Sequence, residues 1–237
     1  MKCQNEIRGT IHAPNVNSCA ATIVALSIAS TAHAAVELVT NGTFDSDTSG
    51  WAASLTANGA NNLPDGTTEP FETVSGTSSN AAAFQVGKND GTGADGGVLF
   101  SQVIAVDALS DLTFSADVAA FNPSMQVNAS GGDFVLRFGG ATIGTFPVGQ
   151  INDDETLRGS LSGQLMDVAA GSYTLAFLIT RKFSLVPDTP EVTPKQYIDN
   201  VSVMASPVPL PATLPLIVAG LLGLGYLGRG RKKTSEA

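Results

Sequence analysis

The sequence predicts an all-β fold, a jelly-roll β-sandwich lying between a cleaved N-terminal signal peptide and one C-terminal transmembrane helix. Three observations carry this. Apolar residues alternate over short runs, as in Phe134, Leu136 and Phe138 or Tyr173, Leu175, Phe177 and Ile179, which puts each set on one face of a strand. Glycine pairs punctuate the runs at Gly96-Gly97, Gly131-Gly132 and Gly139-Gly140, the last read as a hairpin turn. No stretch between Ala35 and Ser206 stands out as an amphipathic helix.

Taken in order, residues 1–34 read as the signal peptide. Lys2 and Arg8 form a basic start, Ala20–Ser30 is an apolar stretch, and Ala32-His33-Ala34 is a small-x-small cleavage site, with the cut between Ala34 and Ala35. The apolar stretch is shorter than the roughly 20 residues a membrane span needs. Residues 35–205 hold the sandwich. Strands are expected at Val36–Thr40, Phe71–Val74, Ala81–Val86, Val98–Val106, Leu112–Ala119, Asp133–Phe138, Ala141–Phe146, Glu155–Leu165, Ser172–Thr180 and Gln196–Met204. Many short strands in one domain indicate a sandwich or jelly roll. Thr56–Thr68, rich in Asn, Gly and Thr, reads as a polar loop, able to meet sugar hydroxyls or simply solvated. Val186–Pro194, with its prolines, reads as extended loop or edge. Residues 206–237 form the tail: a Pro motif, an uncharged apolar helix at 213–228, and the basic end Arg229-Gly230-Arg231-Lys232-Lys233. The charges after the helix predict that this end stays cytoplasmic.

Composition excludes several chemistries. Between residues 35 and 206 stand nineteen acidic and six basic residues, a balance of −13 that repels nucleic acid and anionic lipid. Cys3, Cys19, His12 and His33 all lie in the signal peptide. A mature chain without Cys or His has no Ser-His-Asp triad, no Cys nucleophile and no zinc site of the usual ligands. Carboxylate chemistry stays open. Asp153-Asp154-Glu155 raises the glycosidase question, but neighbouring carboxylates point apart on a strand, and nothing in the sequence fixes a pair at the 5–10 Å or so that glycoside hydrolysis uses. The segment Lys88–Gly97 lacks both the EF-hand spacing and the Gly-Lys-Ser/Thr of a phosphate loop, so it reads as a strand connection.

The tail Val208-Pro209-Leu210-Pro211-Ala212, followed by the apolar run and the basic stop, resembles the PEP-CTERM/exosortase class of sorting domains in its VPLPA variant. The resemblance covers about thirty residues. It implies that these five residues are recognised, as substrate, by an exosortase-type membrane transpeptidase. It also implies export through an inner-membrane-anchored precursor to the cell surface or matrix of an exopolysaccharide-producing host.

A second resemblance brackets the middle domain. Leu38-Val39-Thr40-Asn41-Gly42-Thr43-Phe44-Asp45 with Gly50-Trp51 is similar to the opening of galactose-binding-like jelly-roll carbohydrate-binding modules, and Tyr197-Ile198-Asp199-Asn200-Val201-Ser202-Val203 to their closing strand. The first and last strands are then expected to pair. The resemblance implies that acids at the two ends meet around a structural calcium, with Asp45, Asp47 and Asp199 as its ligands beside backbone carbonyls; a solvated turn acid or a capping residue is the plain alternative. Trp51 is expected chiefly in the core, with sugar stacking as the other role. The functional expectation is an exported, envelope-sorted, non-catalytic protein, a polysaccharide-binding or matrix-associated module in an exopolysaccharide or biofilm setting, with a structural or adhesive surface protein that binds protein partners or itself as the alternative and a glycoside hydrolase as the third.

Overall fold

A computed structural model describes residues 34–209 apart from 75, 92, 124–125 and 186–191, together with residues 217, 220 and 221. Two antiparallel sheets face each other. The first runs β11 (Thr156–Val168), β8 (Ser110–Phe121), β13 (Lys195–Pro207), β5 (Thr77–Phe84) and β4 (Thr68–Val74), with β1 (Val36–Glu37) also paired to β13. The second runs β10 (Ala141–Val148), β9 (Gly132–Phe138), β12 (Gly171–Arg181), β7 (Gly96–Val106) and β2 (Ala52–Leu55). A small pair, β3 (Gly59–Asn61) with β6 (Val86–Lys88), forms a third, two-stranded sheet. The sandwich expected from the sequence is therefore present.

The period of two explains why these residues form these strands. Along β9 every second residue is fully buried and its neighbours are half-buried. The inward sets of the two sheets meet in one core that includes Phe100, Phe114, Phe134, Leu136, Leu175 and Phe177, each at most 1% exposed. Burying a Phe or Leu side chain stabilises by about 1.5–3 kcal/mol each. Gly139 and Gly140 turn β9 into β10 with φ of 55° and 89°, left-handed values a hairpin turn requires.

The chain departs from the expectation at three short strands. β2, β3 and β6 carry Ala-Ala-Ser-Leu, Gly-Ala-Asn and Val-Gly-Lys, which offer little side chain to alternate. Their hydrogen bonds come from distant partners: Ala53 lies opposite Phe100 and Ala60 opposite Gly87. The polar loop Thr56–Thr68 thus contains a strand, and Lys88–Gly97 is a strand connection, as expected, with Lys88 Nζ donating to the Gly93 carbonyl at 3.1 Å.

The expected pairing of the first and last strands is formed. Val36 lies opposite Ala205 and Glu37 opposite Met204. The opening loop then leans on β13: Val201 N donates to Gly42 O at 2.9 Å, and a Cβ at Gly42 would collide with the Val201 carbonyl. That close approach is the physical reason for a glycine after Asn41. Strand β13 runs on through Pro207, and Val208 N donates to Leu109 O at 2.9 Å. Ala34 and Ala35 are exposed. The rest of the expected signal peptide, residues 186–191 of the expected extended loop, the motif residues Leu210, Pro211 and Ala212, and nearly all of the expected 213–228 helix lie outside the described residues. Among the described residues no helix is long and apolar enough to cross a membrane.

Candidate functional site

The loop from Thr40 to Trp51 is built by its own polar side chains. Asn41 takes a positive φ of 52° and its Nδ2 donates to the carbonyls of Asp47 at 2.9 Å and Ser49 at 3.1 Å. Asp47 Oδ1 accepts from Ser49 N at 2.9 Å. The Ser49 backbone N–H, then its hydroxyl, hold the Asp47 carboxyl below the usual carboxylate range, against a smaller opposing effect of burial. Gln102, reaching up from β7, clasps the loop: its Oε1 accepts from Thr40 N at 3.0 Å and its Nε2 donates to Thr40 O at 2.9 Å.

This loop delivers Trp51. The indole stacks on Phe100 with centroids 4.8 Å apart and planes 14° apart, and Phe44 lies 5.6 Å away on a tilt. Its Nε1 donates to the carbonyls of Thr40 and Asn41, both at 3.2 Å. Trp51 is therefore packed against the core, yet it stays half-buried. Its remaining surface, with Phe100 and Ala53, lines a cleft of about 370 Å³ whose other walls are Asp47, Thr48 and Ser49 from one loop and Asp65 and Gly66 from another. The volume falls at the small end of ligand sites, about 300–1,000 Å³. An aromatic floor beside carboxylates and hydroxyls suits a ligand with one apolar face and a ring of hydroxyls.

Sequence reasoning singled out Trp51 and the loop containing Asp65 but did not join them. Asp65, Gly66, Thr48 and Phe100 carry no pattern of their own, and only the folded loops bring them beside the indole.

The three acids expected at a calcium are placed differently. Asp199 is fully buried; its Oδ2 accepts from the Thr73 and Ser79 hydroxyls and its Oδ1 from Asn200 N at 2.8 Å. Burial raises its carboxyl above the usual range, against the pull of Ser79, Asn200 and Thr73. Asp45 is exposed and its Oδ2 accepts from Thr43 Oγ1 at 2.7 Å, while its carbonyl accepts from Asn80 Nδ2. Ser79 and Asn80 are adjacent, so the two ends of the domain do converge there. Asp47 instead lines the Trp51 cleft. Among the described residues no three acids, histidines or cysteines gather as a metal donor set. Asp45, Asp47 and Asp199 therefore do not come together as the expected trio of calcium ligands.

Other candidates are structural. Asp153-Asp154-Glu155 closes the turn before β11: Glu155 Oε2 accepts from Asn152 N at 2.6 Å, and Asp154 takes a φ of 50°. On the outer face of the first sheet Phe71 lies flat on Tyr197, centroids 3.7 Å apart. The Tyr197 hydroxyl donates to Glu69 at 3.0 Å, and Lys195 pairs with the same carboxylate at 2.7 Å. Burial, with Glu69 beside it, pushes the phenol well above its ordinary value. Tyr197 is only 3% exposed, while Phe71 and Phe121 beside it stay half-buried.

No protein-family model matches the chain, and no curated protein matches it. Solved structures similar to it include TmCBM61 in complex with beta-1,4-galactotriose, with 10% identity over 72% of this chain and 99% of that one at a TM-score of 0.40. The CBM22-1 xylan-binding domain from Paenibacillus barcinonensis Xyn10C shows 11% identity over 75% and 99% at 0.40. The enzymatically active domain of tailspike protein 4 from bacteriophage CBA120 shows 19% identity over 72% of this chain but 21% of that one, at 0.41. At these levels the likeness assigns no ligand, metal or activity to this chain.

Proposed function

We propose that this chain is an exported, envelope-sorted, non-catalytic module that binds polysaccharide in the Trp51 cleft. The observation that carries the reading is the cleft itself: a half-buried indole held rigid by Phe100 and two backbone acceptors, facing carboxylates and hydroxyls on two loops. A sugar ring laid on Trp51 exchanges water for apolar contact, and its hydroxyls meet Asp47, Thr48, Ser49 and Asp65. The first loop is already cross-linked by Asn41 and Gln102, so it has little freedom left to lose on binding.

The non-catalytic part rests on the carboxyls. Glycoside hydrolysis needs one carboxyl held protonated by a raised pKa. Asp47 is shifted the opposite way, and the raised carboxyls of Asp133 and Asp199 are not among the residues lining the cleft. Export and sorting rest on the signal-peptide pattern and on Val208–Ala212 with the apolar run behind it. An intact mass ending near Ala212 supports cleavage by an exosortase-type transpeptidase, whereas one ending at Ala237 leaves a membrane-anchored protein.

The binding test is affinity electrophoresis of residues 35–209, which hold every strand described above, in gels containing xylan, galactan, β-glucan or the source organism's own exopolysaccharide. Each gel is run with calcium and with chelator. We expect retardation that survives chelation, and about tenfold weaker binding for the Asp65→Ala variant, with thermal unfolding as the check that the fold is kept, since hydrogen bonds to charged groups contribute about 1.5–3 kcal/mol. Retardation by no glycan sinks the reading; retardation lost in chelator restores a calcium requirement.

A further inference from the structure

The outer face of the second sheet is unlike the rest of this acidic molecule. Its outward residues include Leu99, Val135 and Leu178, half-buried in one row, and Val103, 71% exposed, four residues further along β7 opposite Thr174. Across all five strands only two outward side chains are charged, Asp133 and Arg137, both on β9. Arg137 Nε is buried without a hydrogen-bond partner among the described residues.

We infer that this face is a self-association surface whose occupant is a second copy of the chain, docked face to face about a two-fold axis. Two arguments select that occupant. A domain with thirteen excess negative charges repels its own copy wherever acids face acids, and across the strands of this face Asp133 is the one outward acid. The face is also self-complementary. Thr145, Val135, Leu178, Leu99 and Ser54 lie opposite one another in register and form a single row across the sheet. Asp133 and Arg137 sit two residues to either side of that row. A two-fold axis along the row turns Val135, Leu178 and Leu99 onto their own copies. The same rotation sets each Asp133 against Arg137 of the second copy, giving two reciprocal ion pairs around an apolar stripe.

The size of the face sets the strength. Five strands spaced about 4.8 Å apart, over some six residues each, cover about 400 Å² per copy. A stable interface buries about 800 Å² per partner, so the dimer is weak and forms where the chain is concentrated, as on a surface.

The test is sedimentation equilibrium of the full chain in density-matched detergent across a wide concentration range. A reversible monomer–dimer equilibrium is expected. Arg137→Asp, which sets acid against acid, should weaken it at least about tenfold, and Asp133→Arg/Arg137→Asp, which exchanges the two charges, should restore it to within about threefold. Thermal unfolding of all three proteins checks that the fold is kept. A monomer at every concentration overturns the inference. Association that ignores Arg137→Asp also overturns it, and assigns the contact to the apolar tail. Failure of the double exchange to rescue removes the two-fold geometry. None of these outcomes depends on glycan binding.

Discussion

At the scale of single residues, position within the fold decides what each acid does. Asp199 is held above its ordinary value of 3.8 chiefly by burial. Between 3.8 and that raised value the folded chain therefore holds the proton that the unfolded chain releases, so stability from this group is greatest in acid and falls as pH rises through the window. Asp199→Asn removes the titration. Urea unfolding of both proteins from acid to neutral pH should show a flatter profile for the variant, with the remaining slope of the same sign partly supplied by Asp133, also raised by burial. Equal slopes would show that Asp199 does not titrate in this range. The sequence marked Asp199 as special by its place in the closing strand, but its surroundings are Thr73 and Ser79, more than a hundred positions away. Trp51 was half legible for a related reason. A lone tryptophan after a glycine announces packing, while the open edge it keeps depends on where the loop carrying Asp65 comes to rest.

At the scale of elements, legibility tracked side-chain size. Strands with large alternating residues, such as β9 and β12, could be read directly, because burying their apolar face is what forms them. β2, β3 and β6 are made of small residues and exist because other strands offer them backbone partners, which no local window contains. β1 is the intermediate case: it is only two residues long, yet Glu37 anchors it. Its Oε1 accepts from Val39 N at 2.8 Å and Val203 N at 2.9 Å, and its Oε2 accepts from Ser202 Oγ. Glu37→Ala strips three donors of their acceptor and should cost about 1–3 kcal/mol. Hydrogen exchange should then quicken at residues 36–39 while β9 and β12 stay protected; unchanged exchange at 36–39 would mean that the backbone ladder alone holds the strand.

At the scale of the whole molecule, charge and connectivity dominate. Nineteen acids against six bases oppose a compact state, and salt relieves that, with a Debye length of about 10 Å at 0.1 M. The melting temperature should rise between about 0.01 and 0.5 M sodium chloride; a flat response would mean that the pairs at Glu69–Lys195 and Glu72–Arg158 already offset the repulsion. Connectivity has a mechanical side. β13, from which the tail leaves, is bonded to β8 along one flank and to β5 and β1 along the other. A pull on the C-terminal end travels along the strand's own axis and loads the whole β8 ladder in shear, from Ser110 opposite Pro207 to Phe121 opposite Lys195. Many hydrogen bonds must yield together, whereas an edge strand pulled sideways would unzip one bond at a time. A domain tethered through β13 is thus clamped where it is hardest to peel, and it can be tugged from the tail without first losing the sheet that holds its core.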